Sequence, residues 1–484
     1  MKPVRLLPWV AAAAALTAPR WLPQRVVALR GKVFELVNGD NAITLPSERF
    51  GPDRFREVYS HPAAGGRSEG AGLSDLFWYW LSPGPEVHQE HLEAGPRYDD
   101  VARTTQRFLA GSSDALSATA ARCAAKVLDE LVPGELSVPR LRDLMMPIWA
   151  EFNYELVFGE PCPRRARELI VGNASDVVDA LKCTSLRHPR RRARLTRYLR
   201  ARVDAGDVVH ELPGTLSTAE QVHYLQGTFF NTSVVQLSEG MAHLLLVLAQ
   251  HQDVQRRLAD DPGDDRYFAH VLDETMRVFP LFGIAHRITT DDIRVDADTT
   301  LPRGSVLCFS YPDYHATGHR DPERFDPSRW EELSAKDAAH IPFGVAANRP
   351  CPAWRLSPLA MRAVTREVLA RFRLESSVRH TRSLPSRGPC VLLRRGRLDT
   401  GTRDPETPGT GTSGTGRLDT GTRDIRALLA FLRVRDRWED VERSVRQLVL
   451  GTWMVLDARR QRLAGHHFER LRREAPPPGC PAHR

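Results

Sequence analysis

The residue of this sequence best suited to chemistry is Cys351, which lies between Pro350 and Pro352 just before a helix-like run at 356–372. Proline on both sides disfavours regular helix and restricts the backbone, so the thiol is held on a stiff loop where a helix begins. Backbone N–H groups and the helix dipole at such a position favour a thiolate. A thiolate of this kind suits an axial metal ligand, above all on haem iron. The alternative is a structural cysteine buried beneath the loop.

The composition predicts a folded chain with a sizeable core. Of the 484 residues, 42% are apolar and 26% are charged, which argues against global disorder. The seven cysteines are scattered and show no Cys-x-x-Cys or Cys/His metal spacing, which argues against a disulfide framework and against a zinc site. A reducing compartment is therefore the simpler expectation.

The net charge of +8 is compatible with nucleic acid, anionic lipid or an acidic protein as a partner. Much of the excess lies in an arginine block between Arg187 and Arg202. We interpret this block as a solvated helix face, with a docking site for an acidic partner as the alternative. Aromatic interleaving and a recognisable nucleic-acid module are both missing from the sequence, so nucleic acid is not expected as a partner.

The N-terminus resembles a signal peptide in part, because Lys2 and Arg5 precede an apolar run at 6–18. This run is too short to span a bilayer as a straight helix, and Pro19 follows the possible cleavage region. We therefore predict an apolar N-terminal segment at 1–19 and a cytoplasmic protein. Peripheral membrane association through residues 6–18 is the alternative.

Apolar spacing predicts a mostly helical body. The longest candidate begins with the possible capping box Ser217-Thr218-Ala219-Glu220 and is apolar nearly all round at 241–248, so it should cross the middle of the domain. Short strand-like pieces lie between 284 and 311. The predicted helices are 98–131, 141–158, 166–181, 217–258 and 268–279.

The folded body is expected to end near Arg395. Residues 396–424 contain a direct repeat around a Gly/Thr/Pro tract, which is typical of a flexible low-complexity linker. Helical periodicity returns from residue 425, and 425–484 is predicted to be a helical C-terminal extension with a disordered tip. This extension could pack on the body or bind a partner.

Two further segments accompany the cysteine loop. Glu274 and Arg277 are three residues apart, so they share one helix face and can pair. Pro322-Glu323-Arg324-Phe325 follows, and then the loop from Pro342 to Cys351. In this order and at these distances, residues 20–395 resemble the cytochrome P450 family. The resemblance implies a mostly α (α+β) haem-thiolate fold with a small β region, to which the C-terminal helical appendage is added.

The resemblance also implies roles for individual residues. Cys351 would be the proximal thiolate on the iron of haem b, iron protoporphyrin IX. The cofactor-binding set would be Phe343, Arg349, Arg287 and one of His88, His91 or Arg97, with arginine suited to bidentate bonding of the propionates. The buried ion-pair network behind the haem would be Glu274, Arg277 and Arg324.

The cysteine loop departs from the family pattern in length and in glycine content. Phe343 lies eight residues before Cys351 where the family has seven. Ala347 and Ala353 stand where the family has glycine. The hydrogen bonds to the thiolate, and with them its redox tuning, are expected to differ.

The distal helix departs further, because the family's Ala-Gly-x-acid-Thr pattern is missing. An ungapped alignment from Gln250 puts Val235 and Gln236 at the acid and threonine positions, and a shift of one turn upstream puts Asn231 and Thr232 there. Neither alignment supplies a carboxylate for proton relay. The residues that would orient water instead are Asn231, Thr232, Ser233 and Gln236.

The predicted function is monooxygenation of an apolar small molecule in secondary metabolism, with dioxygen and with electrons from a separate ferredoxin and reductase. No flavin or iron–sulfur domain is visible in the sequence. The missing acid favours a second hypothesis, a haem-thiolate enzyme that catalyses a rearrangement, a coupling or a peroxide-dependent reaction. A third hypothesis is a non-catalytic haem-binding or interaction protein.

Overall fold

The computed structural model describes residues 7–38, 42–47, 50–334, 338–380, 388–395 and 415–474. The α-helices are α1 (Leu7–Asn38), α2 (Pro52–Ser60), α3 (Gly72–Leu81), α4 (Pro96–Leu109), α5 (Ser113–Leu131), α6 (Leu141–Phe158), α7 (Arg164–Leu181), α8 (Pro189–Asp204), α9 (Thr218–Gly227), α10 (Val234–Gln250), α11 (Gln252–Asp260), α12 (Asp265–Val278), α13 (Tyr311–Ala316), α14 (Leu356–Arg371), α15 (Thr415–Gln461) and α16 (Leu463–Glu474). About 64% of the chain is helical, which confirms the mostly α prediction.

The core is a bundle in which α5 packs on α14 and α6 packs on α10. The predicted helix at 141–158 is confirmed to the residue, and the predicted helix at 98–131 is interrupted at Gly111 into α4 and α5. Gly240 marks a close approach within the bundle, since a Cβ there would lie 3.3 Å from Met361 and 3.5 Å from Met276. The central helix therefore contacts both α14 and α12 at one point.

The predicted helix at 217–258 is continuous from Thr218 to Gln250, with a π-helical segment inside it, and His251 separates it from α11. Ser217 begins α9 with the predicted capping box, in which its side chain and that of Glu220 bond each other's backbone N–H. The π-helical segment at Thr228–Ser233 lies between α9 and α10. The apolar run Thr218–Gln250 is long enough to cross a membrane by length and composition, but most of it is buried inside the protein.

The β region consists of three small sheets built from β1 (Ala42–Leu45), β2 (Leu136–Ser137), β3 (Ile284–Ile288), β4 (Ile293–Arg294), β5 (Thr300–Leu301), β6 (Val306–Ser310), β7 (Phe372–Glu375) and β8 (Val391–Arg394). Their orders are β1-β6-β3, β2-β8-β7 and β4-β5. In the antiparallel pair of β3 and β6, Arg287 lies opposite Leu307. This register, with an additional bridge between Gly66 and Ile288, brings the 66–68 segment to the same edge.

Both terminal segments differ from their predicted boundaries. The N-terminal helix α1 continues through Pro19 and Pro23, so no break falls at residue 19. Helix α15 begins at Thr415, within the predicted linker, while residues 396–414 and the predicted tip at 475–484 lie outside the described residues. Helices α15 and α16 pack on α3, and α15 also packs on α1, so the appendage is docked on the body.

Candidate functional site

The cysteine loop is closed by one backbone hydrogen bond, from the N–H of Cys351 to the carbonyl of Phe343 at 2.8 Å. Two residues of the loop have positive φ, Gly344 at 75° and Arg349 at 50°. These two left-handed residues reverse the chain, and the second is a conformation that a non-glycine residue adopts at a cost. The loop, one residue longer than the family pattern, thus returns Cys351 to the start of α14.

The thiol of Cys351 is not predisposed to ionise by itself. Burial raises its pKa to about 11, although a hydrogen bond from the backbone N–H of Ala353 acts in the opposite direction. The backbone N–H at the helix start thus favours the thiolate, as expected, but the desolvation of the buried thiol outweighs this contribution. A bound metal cation would reverse the balance, since a coordinating thiol is deprotonated.

Three arginines converge beside this loop. Arg67 donates from Nη2 to Oδ1 of Asn348, a loop residue, at 3.2 Å. Arg287 donates to the hydroxyl of Tyr59 at 3.1 Å. Arg349 donates to the carbonyl of Leu92 at 2.6 Å. Each of the three guanidinium groups has at least one further nitrogen without a hydrogen-bond partner among the described residues.

The cluster has more buried positive charge than the surrounding protein satisfies. Among the described residues, Nε and Nη1 of Arg67, Nε of Arg287 and Nη2 of Arg349 have no hydrogen-bond partner. Burial, followed by the charges of Arg287 and Arg349, lowers the pKa of Arg67 to about 10. The carboxylate of Glu90 lies 3.9 Å from Nη1 of Arg67 and is about half exposed, and that of Glu93 accepts from the backbone N–H of Arg67 at 3.1 Å. Buried donors without partners are costly, so the cluster fits a cofactor with carboxylate groups, as haem propionates are.

Arg67 was not among the predicted site residues, whereas Arg287 and Arg349 were. Gly66 explains how Arg67 is placed, because a Cβ at residue 66 would lie 2.7 Å from the carbonyl oxygen of Ile288. The glycine allows the bridge to the strand that carries Arg287. The pair Gly65-Gly66 was the available sequence signal, but a short glycine pair is common in loops.

The three alternatives predicted for the third propionate ligand lie in different places. Arg97 forms a surface ion pair with Glu220 at 2.6 Å. His91 contacts the hydroxyl of Ser68 at 3.3 Å. His88 contacts the hydroxyl of Thr232 through Nε2 at 2.6 Å. Of these, His91 contacts a chain neighbour of Arg67, which is Ser68. The cofactor-binding role of each of the three residues remains a prediction.

Glu274 is the centre of a buried network. Its carboxylate accepts two hydrogen bonds from Arg277, both at 2.8 Å. It also accepts from the backbone N–H of Asp326 at 2.9 Å and from Nε1 of Trp330 at 3.0 Å. Arg329 approaches the same carboxylate at 3.4 Å. The pairing of Glu274 with Arg277 therefore has the predicted geometry.

The third arginine of this network is Arg329 and not the predicted Arg324. The side chain of Arg324 is exposed, and only its carbonyl takes part, accepting from Arg277 at 3.2 Å. The sequence contains two Pro-x-Arg-aromatic tetrads five residues apart, Pro322–Phe325 and Pro327–Trp330. The short helix Pro327–Glu331 turns the second tetrad towards Glu274. The spacing alone does not distinguish the two tetrads.

The predicted distal residues lie on and just after the π-helical segment. Asn231 is buried, and its Oδ1 has no hydrogen-bond partner in the described part of the chain, as is also true of Oγ1 of Thr228. Thr232 is bonded to His88, and the partly buried Ser233 and Gln236 follow it. A π-turn widens the helix and often occurs at functional sites. The segment therefore offers unsatisfied polar atoms along an otherwise apolar helix.

The nearest acid along the helix, Glu239, is already occupied. Lys182 contacts its carboxylate at 2.8 Å and Arg142 at 3.5 Å. Although burial opposes ionisation, these two cations lower the pKa of Glu239 to about 2. A carboxylate held ionised in this way is unsuited to supply protons near neutral pH.

A series of contacts connects the distal segment to the cysteine loop. Thr232 bonds His88, whose ring lies 5.4 Å from that of His91. His91 contacts Ser68, the neighbour of Arg67, which in turn bonds Asn348. The predicted distal residues, two of the predicted cofactor ligands and the cysteine loop thus belong to one region.

Comparison with known proteins agrees with this arrangement. The sequence profile described as Cytochrome P450 matches residues 182–398. Cytochrome P450 135B1 of Mycobacterium tuberculosis is 31% identical over 163 residues, which are 32% of this chain and 34% of that protein. Ent-kaurenoic acid oxidase 2 of Arabidopsis thaliana is 31% identical over 23% of each chain. The matched region thus spans about a third or less of these relatives.

Solved structures show the same fold over a larger part of the chain. CYP175A1 from Thermus thermophilus superposes with a TM-score of 0.58, at 17% identity, covering 79% of this chain and 98% of that one. The cyanobacterial CYP120A1, solved with retinoic acid bound, also has a TM-score of 0.58, at 16% identity, with 73% and 89% covered. These solved structures show that the chain has the cytochrome P450 fold. Within it, residues 182–398 are similar to the cytochrome P450 family.

Proposed function

We propose that this protein is a haem-thiolate monooxygenase that oxidises an apolar small molecule. The observation that carries the proposal is the buried arginine cluster, whose unpartnered nitrogens lie beside the loop that holds Cys351. An unpaired cationic cluster is costly unless an anionic group binds there. The similarity of residues 182–398 to the cytochrome P450 family points to iron protoporphyrin IX, with its propionates, as this anionic group.

The protein's own residues then have separable tasks. Arg67, Arg287 and Arg349 neutralise and orient the carboxylates of the cofactor. Cys351 would supply the sulfur ligand, and a bound haem would supply redox chemistry at its iron, which a thiolate ligand tunes. Asn231 lies on an otherwise apolar part of the helix, beside Phe230 and Val234, which are buried in the core, and this apolar setting favours an apolar substrate.

Thr232 and His88 would manage protons on the distal side. Burial lowers the pKa of His88, so its imidazole is neutral at neutral pH. A neutral imidazole at 2.6 Å can exchange a proton with the hydroxyl of Thr232, and the free Oδ1 of Asn231 can hold a water molecule. This arrangement takes the place of the missing carboxylate.

Electrons would come from a separate acidic redox protein that docks on the arginine block. Part of the block serves the fold, since Arg192 is buried against Asp176 and Arg187 stacks over the ring of Tyr79 at 3.3 Å. The exposed members are Arg190, Arg191, Arg194, Arg197 and Arg200, of which Arg200 pairs with Asp204. Charge complementarity of this kind accelerates association, and the effect falls as salt is raised.

The spectrum of the reduced protein with carbon monoxide tests the proposal. We expect the long-wavelength Soret band of a thiolate-ligated haem in the wild-type protein and its loss in Cys351→Ser. Cys308→Ser, at another partly buried cysteine, is the matched control and should keep the band. A wild-type spectrum without the thiolate band, or a band unchanged in Cys351→Ser, would contradict the proposal.

A peroxide-dependent reaction is the second candidate, because no free carboxylate occurs from Thr228 to Ser238 and Glu239 is held by Lys182. Turnover with NADPH and redox proteins is compared with turnover by hydrogen peroxide alone, in the wild-type protein and in Thr232→Val. If Thr232 serves dioxygen activation, the variant should lose about tenfold or more in the first assay and little in the second. Equal loss in both assays, or turnover with peroxide only, would favour the second candidate.

A further inference from the structure

Helix α15 exposes a row of large apolar side chains along one face, interrupted by Glu442 between Trp438 and Val445. Their spacing of three, four or seven residues keeps them on one side of the helix. The row, which we call the α15 stripe, consists of Phe431, Val434, Trp438, Val445, Val449, Trp453 and Leu456, each between 45% and 65% exposed. From first to last it is about 38 Å long. Single exposed apolar residues are ordinary, but a row of this length marks an interaction surface.

The stripe is not the face by which α15 docks on the body. That face carries Met454 and Ala458, which are fully buried in a cluster with Leu76 of α3 and Cys183. Polar contacts hold the same face, since Tyr79 donates to Asp457 at 2.7 Å. Because these contacts fix the rotation of the helix, the stripe faces outward as a consequence of how the helix docks.

The margins of the stripe are basic. Exposed arginines along this part of the helix are Arg433, Arg435, Arg437, Arg446, Arg459 and Arg460. The acids of the same stretch are Asp436, Glu439, Asp440, Glu442 and Asp457, of which only Glu442 is exposed, and it pairs with Arg446. The margins therefore have a net positive charge, in keeping with the charge of +8 for the whole chain.

These features fit an anionic lipid surface better than a second copy of the chain. Interfacial helices combine an apolar face with Lys/Arg margins, and tryptophan, here Trp438 and Trp453, is enriched at the membrane–water boundary. Anionic headgroups complement the arginines. A self-paired stripe would instead bring two basic margins together, and like charges across an interface are unfavourable.

We propose that the α15 stripe seats this protein on an anionic membrane surface, with α15 lying parallel to the bilayer. Helix α1 packs beside α15 and also exposes apolar residues, among them Leu16 and Trp21. The proposal assigns the membrane contact to α15, because that helix carries the stripe with its basic margins. The inference is independent of the reaction that the protein catalyses.

Co-sedimentation of the full-length haem-loaded protein with vesicles tests the proposal. The probes are neutral phosphatidylcholine vesicles and vesicles that also contain phosphatidylglycerol. We expect binding to the anionic vesicles that weakens as salt is raised, and a loss of at least about tenfold in the double variant Val449→Ser, Trp453→Ser. The matched control is Leu131→Ser, Leu136→Ser, at residues of similar exposure on the body, which should bind as the wild type does.

A second pair of measurements separates the alternatives. The variant Leu16→Ser, Trp21→Ser changes α1 alone, and light scattering reports the oligomeric state of every variant. The proposal is supported if the α15 variant loses vesicle binding while it keeps the wild-type mass and thermal unfolding midpoint. It is overturned if only the α1 variant loses binding, if wild type does not bind anionic vesicles, or if the α15 variant converts a dimer to a monomer.

Discussion

Glu274 and Asn231 are both buried polar residues, but their hydrogen-bonding surroundings differ. Every oxygen of the Glu274 carboxylate is bonded, by Arg277, Trp330 and a backbone N–H. Oδ1 of Asn231 has no hydrogen-bond partner among the described residues. A polar group that the protein satisfies internally holds structure, whereas one that it leaves unsatisfied is available to a ligand or to water. The arginine cluster belongs to the second kind.

The largest effect is expected at Glu274, because removing its charge leaves Arg277 buried without a counter-ion. We predict that Glu274→Gln lowers the free energy of unfolding by about 3–5 kcal/mol. Denaturant unfolding measures the change. Glu323→Gln, at an exposed acid nearby, is the control and should change it by less than about 0.5 kcal/mol. Similar values for the two variants would refute a structural role for the network.

The two Pro-x-Arg-aromatic tetrads give the next prediction. Arg329→Leu should cost about 2 kcal/mol of stability, since it removes a contact with a buried carboxylate and the hydrogen bonds to the carbonyls of Arg320 and Asp321. Arg324→Leu should be nearly neutral because its side chain is exposed. Thermal unfolding of the two variants in parallel measures the difference. A larger loss of stability in Arg324→Leu than in Arg329→Leu would indicate that Arg324, of the first tetrad, belongs to the network.

Acidic pH should lower the free energy of unfolding through His286, the neighbour of Arg287 in the arginine cluster. Burial, followed by the charge of Arg287, lowers the pKa of His286 to about 4. The unfolded chain then binds more protons than the folded protein below pH about 6.5, so stability is lost as the pH falls from there towards 4, by on the order of 2 kcal/mol. In His286→Gln this part of the slope should disappear, and in the exposed control His210→Gln it should remain. An unchanged slope in His286→Gln would show that the imidazole is not kept neutral.

The smallest effect on stability and the clearest effect on ligand binding are expected at Arg67. Removing an arginine whose nitrogens are largely unpartnered should change the stability of the haem-free protein by less than about 1 kcal/mol. Haem affinity should fall about tenfold in Arg67→Ala, because a charged hydrogen bond to a carboxylate is lost. Arg97→Ala, in a surface pair with Glu220, is the control. Haem transfer to apomyoglobin measures the haem affinity of both variants. Equal losses of affinity in the two would indicate that Arg97 also binds the cofactor.

Much of the fold could be predicted because many of its helices depend on residue patterns within a single segment. The helix at 141–158 and the capping box at Ser217 depend on spacing and on cap chemistry within one segment. The π-helical segment Thr228–Ser233 leaves no such local pattern, because the apolar periodicity of the sequence continues through it. Local patterns identify a helix but not its irregular turns.

The candidate site divides in the same manner. The sequence by itself determined the cysteine loop and the pairing of Glu274 with Arg277, since each is contained in one short segment. Only the tertiary structure decided that Arg67 joins Arg287 and Arg349, that Arg329 and not Arg324 reaches Glu274, and that His88 contacts Thr232. Those contacts join residues far apart in the chain, and strand register, a glycine bridge and helix packing, which set them, leave no fixed spacing in the sequence.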